Sequence, residues 1–191
     1  SEEILEELQT FLPAGTPAEL DLELEHAGML FSARLTRIYP DGQYTWRYGK
    51  TRGRDHLAFW IKHLVLNVKR PAGHELVSHW RADDGRLALA PVTDASEQLN
   101  ALLELYRRGM CEPIPFFPES AWIYASLLYT KGHEAALREA QKKYGSPGDF
   151  YQHREENDPY RGRVFANGVD WDSFTELATS VCVPILRHLI P

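Results

Sequence analysis

Between residues 20 and 26 leucines and acids alternate strictly: Leu20, Leu22 and Leu24 fall on one side and Asp21, Glu23 and Glu25 on the other. A period of two predicts a strand with one face buried and one face wet. Residues 29–39 continue the extended pattern, with Leu30, Ser32, Arg34, Thr36 and Ile38 on one face and Phe31, Ala33, Leu35 and Arg37 on the other. Pro40-Asp41-Gly42 is a turn signal, since Asp-Gly accepts the positive φ that tight hairpins require. Residues 43–48 supply the returning strand, rich in aromatics and Thr. The period then changes. Leu57, Trp60, Ile61, Leu64, Val65 and Val68 recur at helical spacing, with Asp55 placed to cap that helix.

Residues 75–81 and 86–92 predict a second hairpin about Asp83-Asp84-Gly85, and a helix starts at Asp94 or Ser96 and ends near Gly109. Pro113, Pro115 and Pro118 make the next stretch an extended apolar linker. Helices follow at about 119–130 and 133–144, then a polar loop over 145–160, then a last helix from about 171 to 189 with Pro184 inside it, where a kink is expected. Residues 2–9 read as the end of a helix, broken by Pro13, Gly15 and Pro17. A β-rich first half and a helical second half make a mixed α+β (α/β) fold. One compact domain is expected, with a sheet-and-helix core over 1–110 and a helical extension over 111–191 packed on it.

Charge is distributed unevenly. The net charge is −6, yet residues 1–32 carry eight acids and no Lys or Arg, while residues 33–70 carry nine bases against Asp41 and Asp55. A basic block inside an acidic protein has the footprint of a phosphate-facing surface, or else it packs against the acidic strand. No apolar run approaches the ~20 residues of a membrane span, and the Glu-rich start is the opposite of a basic leader. Cys111 and Cys182 make no disulfide framework. A cytoplasmic setting is expected.

The stretch ARLTRIYPDGQYTWRYGKTRGRDHLAFWIKHLVLN, then LLELYRRGMCEPIPFFPESAW, then NDPYRGRVF before a final helix, resembles the C-terminal region of the RecC family. These are the gamma subunits of exodeoxyribonuclease V, the RecBCD helicase–nuclease. The resemblance spans nearly the whole chain, and LYRRGMCEPIPFFPES is its most specific part. It implies a fragment of a larger subunit, with a restriction-endonuclease-like core whose active site has degenerated, followed by C-terminal helices. It also implies a place among RecB-like and RecD-like subunits, near the element that parts the duplex.

Active enzymes of that fold need two carboxylates converging on Mg²⁺ and a lysine near the attacked phosphate. Thr36 stands where the first aspartate belongs, Arg47 and Gly49 fall in place of the second acid and the lysine, and His56 and Trp60 replace a Gln and a Tyr on the helix. No catalytic residue, metal site or cofactor is therefore expected. Arg47 can contact a phosphate where a metal would have done so, Lys50, Arg52 and Arg54 can clamp a backbone, and Trp46 can stack on a base of forked or single-stranded DNA. Phe116, Phe117, Ile185 and Leu189 are apolar positions that either wrap the core or dock a partner subunit. Two alternatives stay open: an active nuclease with acids relocated to Asp21, Glu23 and Glu25, whose same-face spacing of ~7 Å is wide for one cation, and a pure interaction scaffold.

Overall fold

The computed structural model describes residues 10–145 and 155–190. The expected helix over residues 2–9 lies outside them, as does most of the expected loop at 145–160. Five strands, β1 (Ala18–His26), β2 (Met29–Tyr39), β3 (Gly42–Trp46), β4 (Ser78–Ala82) and β5 (Gly85–Leu89), form one sheet in sequence order. Neighbours are antiparallel except β3 and β4, which run parallel. A parallel neighbour cannot be reached by a tight turn. The crossover is α1 (Gly53–Lys69). The remaining helices are α2 (Ala95–Cys111), α3 (Pro118–Lys131), α4 (His133–Gly145), α5 (Pro159–Val164) and α6 (Trp171–His188). With α1 they are the six complete α-helices among the described residues, and Thr10 and Phe11 are helical as well.

The fold is thus mixed α+β, as the change of period predicts. The expected division at residue 110 differs from the observed one. Two compact units form: the first takes 10–51, 58–103 and 188–190 of the described residues, and the second 52–57, 104–145 and 155–187.

In the first unit, Leu35, Ile38, Phe59, Trp60, Leu64, Trp80 and Leu89 are buried, so α1 and the sheet share a core. Of the polar side chains that enter it, the buried Gln43 leaves its Oε1 without a partner, whereas His63 and Asn67 are paired. His63 lies between the Ser78 hydroxyl and the Ala90 carbonyl, each at 2.9 Å. Asn67 donates to the His63 carbonyl at 2.8 Å and accepts from the Val92 amide at 2.9 Å. The final residues extend this unit: the Ala90 amide donates to the His188 carbonyl and the Ile190 amide to the Ala88 carbonyl. An otherwise open β5 edge is thereby covered.

The second unit is organised on aromatic rings. Phe117 packs on Tyr144, Phe165 and Phe174 at centroid distances of 4.3, 5.3 and 5.9 Å. Phe117 also precedes α3 as its N-cap and offers no side-chain hydrogen bond there. The cap comes from elsewhere in the chain. Buried Glu155 accepts from the amides of Glu119 and Ser120 and from the Ser120 hydroxyl, satisfying donors a helix start leaves open. The described end of the stretch 145–160, expected as loop, holds a 3₁₀ turn (Glu155–Asn157) and the first residues of α5, whose start is capped by Asp158.

Candidate nucleic-acid interface

The β2–β3 hairpin turns where expected, but its strands hardly pair. Register is kept only at Ile38↔Gln43 and Tyr39↔Gly42. Beyond these two rows β2 is irregular, though continuous. The β1 register changes between Leu20↔Leu35 and Ala18↔Ile38, so Thr36 and Arg37 together oppose Glu19. Arg37 has φ +59°, the left-handed setting of a β-bulge. The extra residue reverses the side-chain parity. Leu35 and Ile38 are both buried, where a continuous alternation put them on opposite faces. Thr36 therefore sits half-buried in the bulge itself.

Because β3 leaves β2 at this point, the carbonyl of Tyr44 has no strand partner there. The Arg37 Nε donates to it at 3.4 Å, and the guanidinium carbon lies 4.2 Å from the centroid of the Trp46 ring. Trp46 is half-buried against Phe11, Tyr39 and Tyr44, so Arg37 covers part of the surface on which a base would stack. Beneath it Tyr44 donates to Asp41 at 2.7 Å. Burial, then this bond, pushes the phenol above its ordinary range.

Arg47 falls just past the end of β3. Its amide donates to the Arg81 carbonyl at 3.1 Å and its Nε to the Tyr48 carbonyl at 3.2 Å. Gly49 has φ +95°, which a lysine would adopt only under strain. The following loop is tied to the β4–β5 turn. The Gly49 amide donates to Asp83 at 3.0 Å, and the Thr51 amide and hydroxyl donate to Asp84 at 2.9 Å. Lys50 stands exposed between these anchors. Sequence reasoning used Asp83 and Asp84 only as a turn signal. Their role as loop anchors had no local trace, since the partners lie more than thirty residues away.

Arg52 and Arg54 belong to the second unit and are exposed. Asp55 accepts from the Arg52 amide at 2.8 Å, so it closes the first turn of α1 from inside, two residues after the helix begins, and does not precede it. His56 is buried and stacks on Trp122 with ring centroids 3.5 Å apart. Trp60 is 1 % exposed in the first unit. Both helix positions thus serve packing.

On β1, Asp21 takes Arg34 in a two-point ion pair at 2.7 and 3.1 Å. That bond holds the carboxyl below its ordinary value. Glu23 and Glu25 are exposed. Among the described residues no three His, Cys, Asp or Glu side chains gather as a metal site. No helix among them is long and apolar enough to cross a membrane. Of the apolar positions offered to a partner, Phe117 and Ile185 are each 1 % exposed, and Phe117 fills the aromatic core of the second unit. They present no surface in this fold. Phe116 is half-buried, and Leu189, also half-buried, bridges to Leu89 through the main chain.

The family described as RecC C-terminal domain matches residues 1–129. The chain belongs to that family. Among relatives, the RecBCD enzyme subunit RecC of Escherichia coli (strain K12) is 24 % identical over 143 residues, covering 75 % of this chain and 13 % of that protein. The RecBCD enzyme subunit RecC of Buchnera aphidicola subsp. Acyrthosiphon pisum is 23 % identical over 164 residues, covering 81 % of this chain and 15 % of that protein. The chain therefore spans a small part of the length of these RecC relatives. Within the RecC match lie all five strands, α1, α2 and nearly all of α3.

Proposed function

We propose that this chain is a non-catalytic, nuclease-like domain of a RecC-type subunit. It holds forked or single-stranded DNA and docks RecB-like and RecD-like subunits in an exodeoxyribonuclease V type complex. The observation that carries this reading is the Gly49–Asp83 and Thr51–Asp84 anchoring. It keeps the loop after β3 in shape while the positions that would hold a cation are Thr36, Arg47 and Gly49. A guanidinium at position 47 repels a divalent metal and attracts a phosphate. Arg47 and Lys50 serve the first unit in this role, and Arg52 and Arg54 the second.

The test is a labelled forked duplex incubated with the full chain in Mg²⁺ and in Mn²⁺, read on native and denaturing gels. A shift without cleavage is expected, weakened when Lys50, Arg52 and Arg54 are neutralised, with the salt dependence reduced by about 0.7–0.9 in log–log slope per lost phosphate contact. Equal binding by the neutralised chain at every salt concentration overturns the DNA role. Cleavage lost on changing Asp21, Glu23 or Glu25 overturns the non-catalytic role.

A further inference from the structure

Along β4, side chains alternate between two faces of the sheet. Ser78 and Trp80 meet His63 and Phe59 of α1. His79 and Arg81 therefore belong to the opposite face, which carries rings and arginines in register. Tyr44 on β3 lies beside His79, and His79 lies opposite Ala88 on β5. One row on, Trp46 lies beside Arg81, and Arg81 opposite Arg86. Side-chain contacts join these rows. Tyr44 and His79 stack with centroids 4.5 Å apart, and Phe11 meets Tyr44 edge-on at 5.2 Å. The Arg86 guanidinium carbon stands 5.7 Å from the centre of the Phe11 ring. All of these residues belong to the first unit.

A cleft of about 310 Å³ opens on this face, with Phe11, Tyr44, His79, Arg86, Ala88 and Ile190 among its lining. Rings make its walls, and the methyl of Ala88, the smallest side chain in its row, leaves the space between them. The His79 ring is fixed on one side by Tyr44, and its Nε2 lies 3.4 Å from the Asp41 carbonyl. The Asp41 carboxylate is engaged by the Tyr44 hydroxyl at 2.7 Å. Arg86 is exposed and has no ion-pair partner among the described residues. Arg34, Arg107 and Arg108 each have an acid. A guanidinium lying on a ring keeps its N–H edge open, which is the geometry that takes phosphate oxygens. Flat ring walls with a cation at the rim are complementary to an unpaired nucleotide, whose base stacks and whose phosphate meets the arginine. A duplex offers no free base face, and an acidic peptide would satisfy the arginine without using the rings.

We propose that this cleft takes one unpaired nucleotide of a single-stranded nucleic acid, with the base against Phe11 and His79 and the flanking phosphate on Arg86. The base site lies beside Trp46 and not on it, since Arg37 already stands 4.2 Å from the centre of that ring. The assignment of nucleic acid as occupant rests on the DNA-holding reading above. The cleft and its arginine do not.

The experiment measures binding of fluorescent oligothymidylate to the full chain across a salt series, beside an abasic oligomer of equal length and a blunt duplex. The variants are Arg86→Gln, Ala88→Leu and the chain neutralised at Lys50, Arg52 and Arg54, each checked by circular dichroism. Arg86→Gln alters an exposed side chain and leaves the core alone. It is expected to weaken oligothymidylate binding severalfold and to lower the salt slope by about 0.7, the value for one single-strand contact. Ala88→Leu fills the cleft and changes no charge. It should weaken oligothymidylate binding roughly tenfold at an unchanged slope, and leave the abasic oligomer bound as by wild type. If Arg86→Gln and Ala88→Leu both bind as wild type while the triply neutralised chain does not, the cleft is overturned as a site and the DNA-holding reading stands. If wild type binds oligothymidylate no better than the abasic oligomer or the duplex, the base contact is overturned, and that comparison needs no variant to fold. If wild type binds none of the three, the DNA-holding reading falls and takes the proposed occupant with it.

Discussion

Glu155 lies with one carboxylate oxygen 2.6 Å from the Ser120 hydroxyl and 2.9 Å from the Ser120 amide, thirty-five residues away in sequence. It stands in for the cap that Phe117 cannot provide. Arg161 approaches its other oxygen at 3.4 Å. An anion at a helix start also meets the positive end of the helix dipole. Changing Glu155 to Ala leaves buried amides unpaired, and a loss of about 2 kcal/mol is expected. Glu155→Gln keeps the shape and loses the charge, so it should fall between the two. Thermal melting followed by circular dichroism ranks the three. Equal melting of wild type and Glu155→Ala would sink the cap assignment.

Gly53 begins α1 against the start of α3. A Cβ there would overlap the Pro118 carbonyl and lie 2.8 Å from the Glu119 Cα. Both obstacles are backbone, so neither can swing aside. The Gly53 amide also donates to the Glu119 carboxylate at 2.8 Å. In an open helix Gly→Ala stabilises by up to ~1 kcal/mol. Here the sign reverses, and Gly53→Ala should destabilise by roughly 1–3 kcal/mol. Urea denaturation of the two chains decides it: a gain in midpoint would show that the helix starts do not meet closely.

The anchored loop makes a local prediction. Asp84 holds both the amide and the hydroxyl of Thr51, and that hydroxyl in turn accepts from the Trp80 indole at 3.1 Å. Asp84→Ala should leave the core intact while the amides of residues 49–51 exchange faster with solvent, by tenfold or more. Asp84→Asn should recover part of the protection. Hydrogen exchange read residue by residue tests it, and unchanged protection at Thr51 would mean that Asp83 alone fixes the loop.

Much of the fold was legible because its signals are local. The Leu/acid alternation of β1, the Asp41-Gly42 turn and the spacing of Leu57, Trp60 and Leu64 each state a period within a few residues. The bulge was not legible, since nothing in Thr36-Arg37 marks an αL residue, and Ile38 was accordingly assigned to the wrong side. Nor was the parallel β3–β4 pairing, which depends on where α1 returns the chain. The candidate site shows the same division. Thr36, Arg47 and Gly49 could be picked out by resemblance to a strand–turn–strand frame. The stack of Arg37 on Trp46 could not, because it depends on the bulge that turns Arg37 to positive φ. Phe117 and Ile185 were ambiguous for a related reason: apolarity says that a side chain leaves water, not what it leaves water for.

His63 gives the pH prediction. Burial lowers its imidazole from 6.5 to about 4, and the nearby His188 acts in the same direction, against the bond to the Ala90 carbonyl. A carbonyl only accepts, so Nε2 carries the proton and Nδ1 accepts from the Ser78 hydroxyl. The folded chain thus prefers neutral His63, while the unfolded chain binds a proton as soon as pH falls below about 6.5. Stability from this group is complete above that value. It is lost progressively as pH falls toward 4, and is constant again below. The whole loss is on the order of 3 kcal/mol by the usual conversion of a pKa difference. Carboxylates add their own slope at the acid end, so the measurement is a difference: stability of wild type minus that of His63→Gln, by urea denaturation at half-unit steps from pH 7.5 to 4. The difference should shrink steadily below pH 6.5. A difference that stays flat through the window would place the imidazole in contact with water and remove the Ser78–His63–Ala90 chain from the core.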